Sequence, residues 1–212
     1  MSSYVVLDFE MCPVKKDKRN TFRCKNELIE IGAVLLDENY NVIDSFKTYV
    51  RPKYGQVTPF IQKLTGITKA DTDNAPNIKE ALEDFISWLP EDAILVSWSE
   101  NDEMQIRQEM ECKGLGITEI DRYLDNWEDC QKNFGEKMNS PKTYRLSEAL
   151  IIADIDYEEG AHDALVDAYN TALLFAKMKR EPKLKLISYY MTEDDALDNY
   201  SDGLLHKYRH AG

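Results

Sequence analysis

A chain of 212 residues with 43% hydrophobic and 31% charged residues has the length and balance of one globular domain with a sizeable core. Its formal net charge of −13 argues against a broad, non-specific grip on nucleic acid, and no apolar run approaches the roughly 18 residues of a membrane span. Cys12, Cys24, Cys112 and Cys130 contain no Cys-x-x-Cys pair, so a zinc site is not expected. With no basic stretch before the first apolar run, the expectation is a cytoplasmic chain with reduced cysteines.

In chain order, "SYVVLDFE" reads as the first strand. Residues 11–26 are polar and read as a long loop, with a basic cluster of Lys15, Lys16, Lys18, Arg19, Arg23 and Lys25. "ELIEIGAVLLD" is the second strand and, after a turn at 39–41, "VIDSFKTYVR" the third. The short connection predicts an antiparallel meander. "TPFIQKLTGIT" predicts a short helix with Thr58 as N-cap, Pro59 at its first position and Gly66 at its end.

"NIKEALEDFISWL" carries apolar residues at helical spacing and stops at Pro90. "AILVSWS" is a buried strand, and "ENDEMQIRQEMECKGLG" a helix closed by Gly114 or Gly116. "RYLDNWEDC" is expected to hold a short strand, and residues 146–152 a helix. "DALVDAYNTALLFAKMKR" is a strong amphipathic helix. A second basic cluster follows at Lys177, Lys179, Arg180, Lys183 and Lys185. For both clusters the plain reading is solvated surface. "KLISYYM" is strand-like or helical, and the last dozen residues are expected to be loose. The order of elements predicts an α/β fold, a mixed sheet flanked by helices.

Three acidic groupings stand out. Asp8 and Glu10 point to the same side of the first strand, and Phe9 to the other. Two such carboxylates repel unless a cation neutralises both, and a hard divalent ion such as Mg²⁺ or Mn²⁺ does so. A strand end running out into solvent would also carry acids there. Asp102 lies at a strand-to-helix junction, where open α/β sheets bind ligands. A plain helix cap at Asn101 or Asp102 accounts for it too. His162 and Asp167 open the last helix, with Asp163 as the expected N-cap. There Asp167 borders an apolar stripe and needs a partner, while a capped helix with an incidental exposed histidine is the alternative.

Together "DFE", "SWSENDE" and "HDALVDA", in this order and spacing, resemble the three motifs of the DEDDh 3′-to-5′ exonucleases, the superfamily of RNase T and the polymerase proofreading subunits. "ELIEIGAVLLD" and "PFIQKLTGIT" are similar to the family's second strand and to a segment between its first two motifs. The likeness covers residues 4 to about 178. "DFE" and the long loop after it look nearest to the histone-mRNA-exonuclease and KapD type.

The resemblance implies an RNase H-like fold, with an exonuclease domain over 1–180 and 181–212 as a C-terminal extension of it. It implies two Mg²⁺ or Mn²⁺ ions held by Asp8, Glu10, Asp102 and Asp167, with His162 as general base. Met11, Leu64 and Ile67 would contact the terminal nucleotides, and the Lys15 to Lys25 loop, adjacent to the first strand in sequence, would track the backbone phosphates or remain solvated surface. Met11 stands where many relatives carry a hydroxyl residue, which bears on how the last nucleotide is held. Glu100, Glu103 and Asp163 are neighbouring acids outside the matched positions. The expected activity is hydrolysis of single-stranded RNA or DNA from the 3′ end, with RNA somewhat favoured. The other classes considered are a catalytically silent accessory that binds nucleic-acid ends or protein, and a metal phosphatase acting on something other than nucleic acid.

Overall fold

The computed structural model describes residues 3–19, 22–158, 160 and 162–186. Strands β1 (Tyr4–Pro13), β2 (Asn26–Leu36) and β3 (Val42–Tyr49) form the antiparallel meander. Strands β4 (Ile94–Ser97) and β5 (Trp127–Asp129) add in parallel, giving one mixed sheet in the order β3-β2-β1-β4-β5. β1 is therefore central, and the polypeptide leaves its C-terminal end beside that of β4.

Alternation along β1 divides the core into two layers. Val5, Leu7 and Phe9 pack against α3 (Ile78–Trp88), chiefly Leu82 and Phe85, and against Ile106 of α4 (Asn101–Lys113). Val6 faces the other layer, with Phe134 of α6 (Cys130–Lys137), Leu150 of α7 (Leu146–Ile152) and Phe175 of α8 (Ala164–Arg180). Each such side chain withdrawn from water contributes about 1.5–3 kcal/mol. Asp8 and Glu10 share the α8 side of the sheet with Val6.

Local chemistry sets the helix starts. Thr58 caps α1 (Pro59–Thr65) through Ile61 N–H, and Gly66 closes it with φ of 75°. Asn77 and Glu80 form a capping box on α3. α2 (Lys69–Asp73) also has a capping box, Thr68 with Asp71, but five residues leave no room for a hydrophobic period to show in the sequence. Residues 118–130 hold more than the expected strand. They fold as a 3-10 turn (Thr118–Ile120), α5 (Asp121–Leu124) and the three-residue β5, and α6 follows, capped by Asp129. The first strand also runs further than expected, to Pro13, past a bulge between Glu10 and Met11. Bulges of this kind re-aim side chains beside sites.

Beyond that bulge lies a buried ionic network. Lys113 bridges Glu27 at 2.6 Å and Glu109 at 2.7 Å, all three nearly inaccessible. Glu27 accepts the backbone N–H groups of Lys53, Tyr54 and Gly55, and Glu109 accepts that of Leu28 at 2.9 Å. Removing one member of such a set costs about 3–5 kcal/mol, because the remaining charge is left unpaired. The network pins the end of α4 and residues 53–55 to the start of β2. Among the described residues no helix is long and apolar enough to cross a membrane, and all four cysteines are free thiols. The expectations for "KLISYYM" from residue 187 onward and for the last dozen residues lie outside the described residues.

Candidate active site

Three separate elements deliver the sequence-predicted acids to one place. β1 supplies Asp8 and Glu10. α4 supplies Asp102, and the cap explanation for it does not hold. The helix is preceded by Glu100, which makes no side-chain capping bond. Asp102, only 5% exposed, instead accepts the Phe9 N–H through Oδ1 at 3.2 Å. That bond ties the first turn of α4 to the backbone between Asp8 and Glu10.

α8 supplies Asp167, whose approach depends on Gly32. In the β1–β2 register Asp8 sits opposite Gly32 and Glu10 opposite Glu30. A Cβ on Gly32 would stand 2.2 Å from Leu165 N and 2.3 Å from the Ala164 carbonyl carbon. The first turn of α8 thus lies directly on the glycine, which no larger residue would permit. Carboxylate oxygens of Glu10 and Asp167 and a ring nitrogen of His162 all lie within 4.8 Å of one another.

His162 holds an unusual backbone. Its φ is 70°, a left-handed conformation that non-glycine residues adopt at a cost of order 1–3 kcal/mol. Its N–H donates to Asp167 Oδ2 at 2.7 Å, and Asp163 caps α8 through Leu165 and Val166 N–H. The histidine is exposed beside Asp167, outside the helix proper.

Two supporting residues were not singled out from the sequence. Glu30, 1% exposed, accepts Ala164 N–H at 3.0 Å and pairs with Lys47 at 3.1 Å. Lys47 also pairs with Asp163 at 2.6 Å. Together they clamp the start of α8, and with it the His162 turn, onto β2 and β3. The signal was present as an acid between Ile29 and Ile31 in a run otherwise apolar, since a buried charge requires partners.

The cluster is electrostatically strained. Burial, then the neighbouring Asp102, Asp167, Glu10 and Glu30, push the Asp8 carboxyl well above the ordinary range. Glu10 is pushed up to about 8 by burial and then by Asp167, Glu30 and Asp102, and Asp102 to about 7 by burial. Asp167 is raised by burial, although the His162 N–H opposes this. Like charges this crowded stay ionised only beside a cation, so the donor set fits hard divalent ions. The folded state therefore holds protons that the unfolded chain has released above about pH 4, and stability falls as pH rises toward about 8. The thermal midpoint of the metal-free protein should drop between pH 5 and 8 by differential scanning fluorimetry. Added Mn²⁺ should raise it more at pH 8 than at pH 5. A midpoint unchanged with pH, or rising, would count against the strained cluster.

The three apolar residues expected to meet the terminal nucleotides differ in exposure. Leu64 is 38% exposed at the end of α1, whereas Ile67 is 3% exposed and fills a small core with Cys12, Ile29 and Ile61. Met11 is half-buried against the α3 layer.

The family model for the RNase T exonucleases matches residues 5–175. A PolC-type DNA polymerase III of Caldanaerobacter subterraneus subsp. tengcongensis is 32% identical over 72% of this chain and 10% of its own length. Human ERI1 exoribonuclease 2 is 28% identical over 93% of this chain and 31% of its own length. The chain thus spans at most about a third of these two relatives. A full-length 3′-exonuclease structure superposes with a TM-score of 0.73 at 22% identity, covering 87% of this chain and 85% of the other. That likeness shows the fold, which is RNase H-like. The matched span contains every acid of the cluster and the histidine beside them, and the chain belongs to the RNase T exonuclease family.

Proposed function

We propose that this chain removes nucleotides one at a time from the 3′ end of single-stranded RNA or DNA by metal-dependent hydrolysis. In this reading Asp8, Glu10, Asp102 and Asp167 hold two Mg²⁺ or Mn²⁺ ions, and His162 is the general base. The observation that carries it is the convergence of four carboxylates from β1, α4 and α8, each pushed toward neutrality by burial or by the others. Relatives named as exoribonucleases favour RNA as the substrate, and reduced cysteines suit a cytoplasmic setting.

When bound, divalent ions supply charge neutralisation at the phosphate and acidify water. The chain's own residues do the rest. Asp8 and Glu10, fixed on a strand, give the site its rigidity. An imidazole nitrogen with a free lone pair serves as a general base, so a ring nitrogen of His162 accepts a proton from the attacking water. The water oxygen bonds to phosphorus, and the bond from phosphorus to the 3′ oxygen of the preceding nucleotide breaks. That oxygen leaves with the shortened strand, and a nucleoside 5′-monophosphate departs. Exposed Leu64 and half-buried Met11 offer apolar surface to the last bases, where stacking is worth about 1–3 kcal/mol per base, and buried Ile67 is left to the small core under α1.

Incubation of 3′-labelled RNA and DNA single strands with Mg²⁺ tests the reading. Labelled mononucleotide should appear from the first time point. Fragments cut internally, or two intact strands, would overturn it.

A further inference from the structure

The two basic clusters of the sequence meet different fates in the fold. The C-terminal one is largely spent internally. Lys177 donates to the Ala153 carbonyl at 2.6 Å, Lys179 pairs with Glu128 at 3.1 Å, and Arg180 holds Asn39 and Asn41. The first cluster, between β1 and β2, holds six basic residues against the single acid Asp17. Its backbone is built in. Val14, Phe22 and Cys24 are buried, Val14 bridges to Gly55, and Lys15 N–H donates to the Tyr54 carbonyl at 3.2 Å. Phe22 packs on Tyr54 with ring centroids 4.6 Å apart. Its side chains are not spent in this way. Lys15, Lys16, Arg23 and Lys25 are exposed, and none makes an ion pair among the described residues.

This loop adjoins a cleft of about 440 Å³ lined by Arg51, Lys53, Tyr54, Lys79 and Lys113. Lys113 is committed to Glu27 and Glu109, but Arg51 and Lys53 are exposed and carry no ion pair among the described residues. Anchored backbone with outward cations on both sides of Tyr54 makes a positive ledge on a strongly acidic chain.

Two independent rulers place the ledge relative to the acid cluster. β1 runs from Asp8 to Pro13, about 17 Å at roughly 3.4 Å per residue. α4 runs from Asp102 to Lys113, about 16 Å at roughly 1.5 Å per residue. Both begin at the acid cluster and end at the ledge. A stacked strand advances ~3.4 Å per phosphate, so that distance corresponds to about five nucleotides.

We infer that the ledge formed by Lys15, Lys16, Arg51 and Lys53 binds the phosphate backbone of a nucleic-acid strand about five nucleotides upstream of the 3′ end held at Asp8. This rests on the exonuclease reading for its direction, and it adds a length threshold. Strands too short to reach the ledge bind only through the acid cluster, and longer ones gain a salt-sensitive grip. The net charge of −13 confines that grip to one track.

The test is fluorescence anisotropy with 5′-labelled oligouridylates of three and twelve nucleotides, with Ca²⁺ in place of Mg²⁺, over 50–200 mM salt. Wild-type protein should bind the 12-mer at least about tenfold more tightly than the 3-mer. In the Lys15→Ala/Lys16→Ala/Arg51→Ala/Lys53→Ala variant that ratio should fall about tenfold. The log–log salt slope for the 12-mer should become shallower by about 2–3, because each single-strand phosphate left without its cation takes ~0.7 from the slope. An unaltered thermal midpoint checks that the variant folds. Equal affinity of the wild type for both lengths, or an unchanged ratio and slope in the variant, would overturn the inference. Hydrolysis of the 3-mer in Mg²⁺ reports on the acid cluster alone, so failure of the exonuclease reading is seen separately from failure of the ledge.

Discussion

Asp8→Asn is expected to abolish nucleotide release while making the metal-free protein more stable. Asp8 sits at the centre of the cluster, with Asp102, Asp167, Glu10 and Glu30 all acting on it. A neutral amide of the same shape relieves that repulsion, so the thermal midpoint without metal should rise. In the proposed mechanism it also removes a charge that holds the divalent ions. Turnover of a 3′-labelled strand should fall by more than about 10³-fold, the upper range for deleting one preorganised electrostatic group. The stabilisation expected from Mn²⁺ in wild type is about 2.7 kcal/mol at a hundredfold excess over Kd, and most of it should vanish. Scanning fluorimetry with and without Mn²⁺, beside the turnover assay, separates this from simple damage. Damage lowers both quantities, whereas a metal-holding acid trades one for the other. A variant that keeps full turnover would remove Asp8 from the site.

His162→Ala is expected to lower kcat by about 10²–10⁴-fold, the usual contribution of a general base, with a smaller change in KM. The clamp behind the histidine gives a graded version of the same experiment. Lys47→Met breaks the tie from Lys47 to Glu30 and Asp163 and should cost about tenfold in kcat at little change in KM, because a misplaced base slows chemistry more than binding. Lys47→Arg should restore most of it. Full activity in His162→Ala at pH 7 would refute the base. A rise in KM with kcat unchanged for Lys47→Met would mark Lys47 as a binding residue instead.

Most of the sheet was legible from the sequence because β1 and β2 write their burial into apolar runs that local reading detects, and the short turn after β2 points to β3, although that strand is mostly exposed. The helices whose period spans two or more turns were equally visible, with caps at Thr58, Asn77 and Asp163 where short polar side chains precede them. α2 and α5 were not, since four or five residues carry too few positions for a period to show, and α6 was not, since it buries only Cys130, Phe134 and Gly135 among polar and charged neighbours. The role of Asp102 was ambiguous for a different reason. An acid in the first turn of a helix serves the helix dipole equally well, and only the bond to Phe9 N–H, from a strand far away in the chain, separates the two.

The sequence by itself determined the chemistry available to this protein: which carboxylates and which histidine, on which kind of element, in which order. Side-chain type and local periodicity are properties of neighbouring residues, so they can be read without a fold. The tertiary structure decided what those groups do to one another. Gly32 lets α8 lie on the strand beside Asp8, Glu30 and Lys47 hold it there, and the resulting burial, with crowding by like charges around Asp8 and Glu10, shifts the carboxyls toward neutral pH. The same holds for the proposed ledge, where Tyr54 joins the loop after β1 to the stretch after β3, bringing together two basic stretches separated along the chain. Electrostatic coupling falls off with distance in space, and that distance is set only once β1, β2, α4 and α8 have packed.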